Sequence, residues 1–196
     1  MNFQHSKNKS NNSIDWKGLF VWVLLALIIR FLVIEPRWIP SGSMLPTLQI
    51  QDRILIEKIR PKVSRKLHKH LPINSIVIFN PPNKLIEAGY DEKAALIKRV
   101  VGISGDHIKV QDGSLFRNGL EIDEPWIDEP ISYEMNELIV PNNSLWVLGD
   151  NRNNSLDSHI WGALPEENLI GTAVLRYWPL KKIGFIRFPQ PIQIER

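Results

Sequence analysis

The sequence has no cysteine in 196 residues, which excludes a disulfide framework and any thiolate-ligated metal site. It also lacks a strong charge bias. Its 24 Lys plus Arg stand against 21 Asp plus Glu, a net of +3, which excludes a dedicated nucleic-acid binder; with 43% hydrophobic residues it is not a disordered chain either. There is no internal repeat at a fixed period and, beyond residue 34, no long stretch with amphipathic helical spacing. A chain without thiols has nothing to oxidise or mispair in an extracytoplasmic compartment, which permits such a location without requiring it.

One segment lacks negative charge altogether. From Lys58 to His70 there are six basic side chains (Lys58, Arg60, Lys62, Arg65, Lys66, Lys69) and two histidines, and no carboxylate. Such a run reads as a solvated surface loop or as a patch resting on anionic lipid headgroups, the loop being the commoner outcome.

The chain has a single long hydrophobic run. Residues 1–17 are polar and rich in Asn, Ser and Lys, and read as a poorly ordered tail. From Gly18 to Ile34 the only charge is Arg30, and seventeen residues as a helix span about 26 Å, enough to cross a bilayer with help at the ends. Trp16, Trp22 and Trp38 suit the interfaces, and Arg30 can snorkel. No small residues mark a cleavage site around Val33–Trp38, so an uncleaved signal anchor is favoured over a cleaved signal or a core helix. Lys7, Lys9 and Lys17 place the tail in the cytosol and residues 35–196 on the exported side of a cell or other energy-transducing membrane.

Residues 35–196 read as mostly β. Short runs at Arg53–Ile56, Ser75–Phe79, His107–Val110, Ser144–Leu148 and Ala173–Tyr177 are separated by Pro, Gly, Asn and Asp, and Asn118-Gly119 is a tight hairpin turn. An antiparallel barrel or sandwich is the expected architecture.

Three segments interrupt this pattern. In Pro40-Ser41-Gly42-Ser43-Met44-Leu45-Pro46, Gly42 leaves room beside Ser43, although alone this is also what an anchor-to-domain turn looks like. In Leu96-Ile97-Lys98-Arg99-Val100, strand alternation groups Lys98 with Leu96 and Val100 and turns Arg99 the other way. An ammonium desolvated among apolar neighbours holds its proton less tightly and can serve as a base, whereas a snorkelling surface lysine is the commoner case. In the third, Gly149–Gly162, an EF-hand reading fails because Arg152 and Ser155 fall where a ligand and the glycine belong. Its density of Asp, Asn, Ser and Arg suggests a hydrogen-bonded network instead.

SGSMLPTL, IKRVVGISGD and GDNRNNSLDSHIWG, in this order behind an anchor, resemble the type I signal peptidases, the bacterial leader peptidases. Asp52–Lys58 and Ile76–Pro82 extend the likeness over about residues 18–180. The resemblance implies an antiparallel β catalytic domain with an apolar surface at the membrane, and a serine endopeptidase that removes signal peptides from exported preproteins after small residues at −1 and −3. It implies Ser43 as nucleophile and Lys98 as general base, Ser41 helping the Ser43 N–H to hold the oxyanion, and Ser155 orienting the lysine. Asp150, Asn151, Arg152 and Asp157 match the supporting network. Neither cofactor nor metal is implied; the partners are preproteins and the bilayer. Candidate walls for the substrate cleft are Ile39, Pro40, Met44, Leu48, Leu96 and Ile97, the substrate adding as an extended strand.

Two positions depart from the family pattern: Ser104 stands where Pro is usual before Gly-Asp, and His159 where Arg is usual. The second turns an expected Asp–Arg pair into Asp157–His159, which is expected to respond to pH. It also invites a Ser43–His159–Asp157 triad, which the family context of Lys98 disfavours. An inactive, membrane-anchored β scaffold that binds extended peptides is the alternative from another class.

Overall fold

The computed structural model describes residues 16–67, 69, 71–186 and 192–194. The tail, apart from Trp16 and Lys17, therefore lies outside the described residues, as do His68 and His70.

Helix α1 (Trp16–Leu32) is 17 residues long, and every one of its described residues except Gly18 is exposed. It starts and ends two residues earlier than the expected 18–34. Pro36 forces its predecessor into an extended conformation, and Ile34 already pairs with Glu57, so Ile34 belongs to a strand and not to the helix. No helix among the described residues is long and apolar enough to cross a membrane.

Past α1 the chain is mostly antiparallel β. The strands are β1 (Ile34–Trp38), β2 (Arg53–Glu57), β3 (Ile76–Phe79), β4 (Leu96–Ile103), β5 (His107–Gln111), β6 (Ser114–Arg117), β7 (Leu120–Asp123), β8 (Met135–Ile139), β9 (Ser144–Leu148), β10 (Leu164–Pro165), β11 (Leu169–Trp178), β12 (Gly184–Phe185) and β13 (Ile192–Ile194). The larger sheet has the order β1-β2-β11-β3-β4-β9-β10, with β12 beside β11; the smaller runs β13-β7-β6-β5-β8. The larger sheet ends at β1 and β10 without closing into a barrel, and its proline strand β1 sits at an edge, where a missing N–H is tolerated. Asn118 and Gly119, both at positive φ, close the β6–β7 hairpin as the sequence predicts.

Three short helices interrupt the strands: α2 (Ile59–Lys66), α3 (Asn83–Glu87) and α4 (Ser158–Trp161). The basic segment is thus not a loop over most of its length. Glu57 Oε2 accepts from the N–H groups of Ile59 (3.1 Å) and Arg60 (2.8 Å), satisfying two donors of the first turn, and Pro61 stands early enough in the helix to need no donor.

Three apolar clusters hold the sheets. One gathers Val77, Phe79, Leu96, Val100, Val147 and Trp161; a second gathers Ile39, Met44, Leu48, Ile54, Ile56 and Ile97. The third joins the two sheets through Val101 and Trp146 of the larger and Ile108, Val110 and Leu115 of the smaller. Strand β3 is buried along its whole length and β4 from Leu96 to Gly102, so a polar side chain on β4 is desolvated whichever way it points.

Candidate active site

The segment after β1 makes a single 3₁₀ turn, Gly42–Met44, pinned by Met44, which is fully buried in the second cluster. The loop after β9 grips this turn: the Asn151 N–H donates to Ser43 O (3.1 Å) and Asn151 Nδ2 to Gly42 O (3.2 Å). Gly149 makes the close approach possible. A Cβ there would lie 2.5 Å from Ser43 O and 2.2 Å from Ser155 Oγ, so no other residue fits without displacing both.

Lys98 reaches this turn from β4. Its Nζ donates to Ser43 Oγ at 2.8 Å and to Ile97 O at 2.9 Å, while the side chain is only 2% exposed. Burial lowers its pKa from 10.5 to about 8, against the opposing pull of Asp157 and Asp150. Ser41 Oγ lies 3.4 Å from Ser43 Oγ on the exposed side. A hydroxyl beside an amine that can lose its proton near neutral pH is the arrangement needed to activate a serine.

The polar loop is the network its composition suggests. Asp150 is gripped by Arg99, with Nε to Oδ1 at 2.7 Å and Nη2 to Oδ2 at 2.6 Å; Arg99 also donates to Asn74 O and Thr47 Oγ1 and stacks on Trp126 at 4.6 Å. Arg152 donates to Gly149 O (3.0 Å) and pairs with both oxygens of Glu124. Burial opposes the Arg152 charge, but Glu124, Asp150 and Tyr133 together outweigh it, and the net shift of its pKa is upward. Asp157 caps α4, accepting from the N–H groups of Gly149 (2.8 Å) and His159 (3.2 Å) and meeting His159 Nδ1 at 2.7 Å. The His159 ring stacks on Tyr133, centroids 4.1 Å apart, and burial followed by Asp157 pushes the Tyr133 phenol upward.

The structure thus brings together Ser41, Ser43, Lys98, Asp150, Asn151, Arg152, Asp157 and His159. Ser155 is also there, packed against Gly149, but its Oγ is buried with no hydrogen-bond partner. The partners of Ser43 Oγ are Lys98 and Ser41; His159 faces Asp157. Of the six suggested cleft residues, Ile39, Met44, Leu48 and Ile97 share one cluster under the turn, Pro40 is exposed beside it, and Leu96 belongs to the other cluster. Sequence reading missed Arg99, Glu124, Trp126 and Tyr133 as parts of the network. Arg99 could have been found, since the strand that buries Lys98 must bury its neighbour; Glu124 and Tyr133 carry no local signal.

The sequence matches the family model of signal peptidase, peptidase S26, over residues 13–178. It is 44% identical over 167 residues to a probable signal peptidase I-1 of Synechocystis, covering 85% of this chain and 82% of the relative. It is 42% identical over 189 residues to a probable chloroplastic thylakoidal processing peptidase 2 of Arabidopsis thaliana, covering 94% of this chain and 49% of that longer protein. A crystal structure of a signal peptidase I from Enterococcus faecalis aligns with a TM-score of 0.45 at 23% identity, over 53% of this chain and 97% of that one.

Proposed function

The chain belongs to the signal peptidase family, peptidase S26, and from that premise we propose that it is a membrane-attached serine endopeptidase that cleaves signal peptides from exported preproteins. Ser43 is the nucleophile and Lys98 the general base. The observation that carries this reading is the 2.8 Å contact between Ser43 Oγ and a lysine amine that is almost wholly buried.

The neutral amine takes the Ser43 proton as Oγ bonds to the scissile carbonyl carbon. The oxyanion so formed meets the Ser43 N–H and the Ser41 hydroxyl, donors of the kind that lower such a barrier by a few kcal/mol. The Lys98 ammonium returns its proton to the leaving amine, the C–N bond breaks and an ester to Ser43 remains. Water then attacks that ester; Lys98 accepts the water's proton and passes it to Ser43 Oγ as the ester bond breaks. Ser155 is assigned to orient the neutral amine during the reaction; in the structure its buried hydroxyl makes no hydrogen bond, and Lys98 Nζ is held by Ser43 Oγ and Ile97 O. Asp150, Asn151, Arg152, Asp157 and His159 hold the loop that clamps the Ser43 turn.

Small residues at −1 and −3 of the substrate are placed, in this reading, beside exposed Pro40 and over the buried Ile39, Met44, Leu48 and Ile97 cluster. The exposure of α1 on all sides supports its seat in lipid as a single anchor, although its 17 residues, about 26 Å as a helix, do not span a bilayer unaided. Lys7, Lys9 and Lys17 favour the tail on the cytosolic side and the β domain on the exported side. Cleavage of a preprotein by the wild type and by the Ser43→Ala and Lys98→Ala variants tests the assignment. Both substitutions are expected to abolish processing while leaving circular dichroism unchanged; full activity in Lys98→Ala with loss in His159→Ala would move the base to histidine. Covalent labelling of Ser43 by an acylating inhibitor separates the enzyme from an inactive peptide-binding scaffold.

A further inference from the structure

The basic segment after β2 takes no part in the proposed chemistry, and its geometry has a direction. Helix α2 packs on β11, and Pro61 is the one residue it buries. At about 100° per residue, Ile59, Val63 and Leu67 fall within a stripe about 80° wide, and Pro61 lies on the opposite side of the helix. The stripe therefore faces away from the domain, and its side chains are 45%, 44% and 56% exposed. Lys62 and Lys66, both exposed, run along one margin of the stripe, while Arg60 on the other pairs with Glu57 at 3.4 Å. Arg65 turns elsewhere, toward a groove it shares with Glu166 and Glu167.

The helix also has a fixed place relative to α1. The Lys58 N–H donates to Val33 O at 2.9 Å, and Lys58 Nζ meets Glu35 at 3.3 Å, so the residue before α2 lies beside the residue that follows α1. An outward apolar stripe edged by lysines, next to the exit of an apolar helix, has the form of a helix lying in the plane of a membrane surface.

We propose that α2 is a second membrane contact, seating Ile59, Val63 and Leu67 at the acyl boundary and setting Lys62 and Lys66 against anionic phospholipid headgroups. The proposal rests on the reading that α1 seats the chain in lipid. It makes the approach of the catalytic domain to the bilayer depend on lipid charge, because lysines near an anionic surface each gain about 1 kcal/mol, or roughly fivefold.

The absence of cysteine makes the test clean. An environment-sensitive nitrobenzoxadiazole probe on Val63→Cys of the full chain is read in vesicles of phosphatidylcholine alone and of a two-to-one mixture with phosphatidylglycerol; flotation is measured in parallel, and Asn136→Cys on exposed β8 is the reference. The expected result is flotation with both vesicles, with a blue shift and quenching by headgroup-proximal doxyl lipid at position 63 only in the anionic vesicles. The reference probe stays water-like. Adding Lys62→Gln and Lys66→Gln should lower the docked-to-undocked ratio roughly thirtyfold. A water-like probe at 63 in a chain that floats overturns the α2 contact and leaves α1 seated. An equal shift in neutral vesicles overturns the anionic assignment. A shift produced by soluble polyglutamate and not by vesicles assigns the face to an acidic polypeptide instead, and failure to float with either vesicle overturns both membrane contacts.

Discussion

Lys98 shows how one residue is shaped by chemistry at the expense of stability. In the proposed mechanism its neutral form is the active one, and burial brings its pKa from 10.5 to about 8. Activity therefore rises with pH: kcat/KM should climb about tenfold per pH unit below an inflection near 8 and level off above it, as initial rates of preprotein cleavage across the pH range will read. The linkage has the matching sign. The unfolded chain binds a proton at this site between about pH 8 and 10.5 that the folded chain does not, so this site adds to stability as pH rises through that window and detracts from it fully below. Replacing the amine by an apolar side chain of similar length removes that penalty. Lys98→Met is expected to be inactive but more stable at pH 7 by on the order of 1–3 kcal/mol in chemical denaturation. That Ser43 and Lys98 meet was legible because motifs flank both. Glu124 and Tyr133 were not, because a residue whose partner lies far along the chain, as Arg152 does from Glu124, leaves no periodic or local trace. His159 was read as a partner of Asp157, and the two meet at 2.7 Å. If it only supports the loop, His159→Ala should lower kcat/KM by no more than about a hundredfold, against a loss of at least about a thousandfold for Lys98→Ala.

At the scale of elements, β4 and the loop after β9 form one unit. Neighbouring residues of β4 do different work: Lys98 reaches the Ser43 turn, and Arg99 fastens Asp150 with a two-pronged, wholly buried pair. Removing one member of such a pair strands the other charge in the interior. Asp150→Ala should cost about 3–5 kcal/mol, seen as a large drop in melting temperature, and Arg99→Lys should not rescue the geometry because an ammonium cannot span both carboxylate oxygens. Gly149→Ala should be nearly as severe for a different reason, since its Cβ collides with Ser155 and with the Ser43 carbonyl. Here activity should fall further than stability, as a comparison of specific activity with urea unfolding would display. Alternation and turn chemistry made β2, β3, β5, β9 and the Asn118-Gly119 hairpin legible. The start of β1 was hidden within the apolar run, because Ile34 reads equally well as the last turn of a helix or the first residue of an edge strand; pairing with β2 decides it. The basic segment misled in the opposite direction: a helix forms where charge suggested a loop, helped by a capping Glu57.

At the scale of the whole molecule, two open sheets share an apolar layer, and the candidate site lies where the first turn after β1, the middle of β4 and the loop after β9 converge. An exposed apolar helix precedes β1, and a basic, apolar-striped helix starts beside its end. The fold class was legible, since strand-length runs dominate the composition; the open edge of the larger sheet was not, because closure depends on long-range pairing. In the proposed reading the arrangement puts a peptidase site on a domain tied to a membrane surface, which would suit a substrate whose cleavable segment is itself held in a membrane. The most direct test of that account is processing of a preprotein reconstituted with the full chain in vesicles, with the product identified by mass spectrometry. Wild type should release a mature protein cut after small residues at −1 and −3, while Ser43→Ala and Lys98→Ala release none. Cleavage persisting in either variant, or no cleavage by a folded, vesicle-bound wild type, would contradict it.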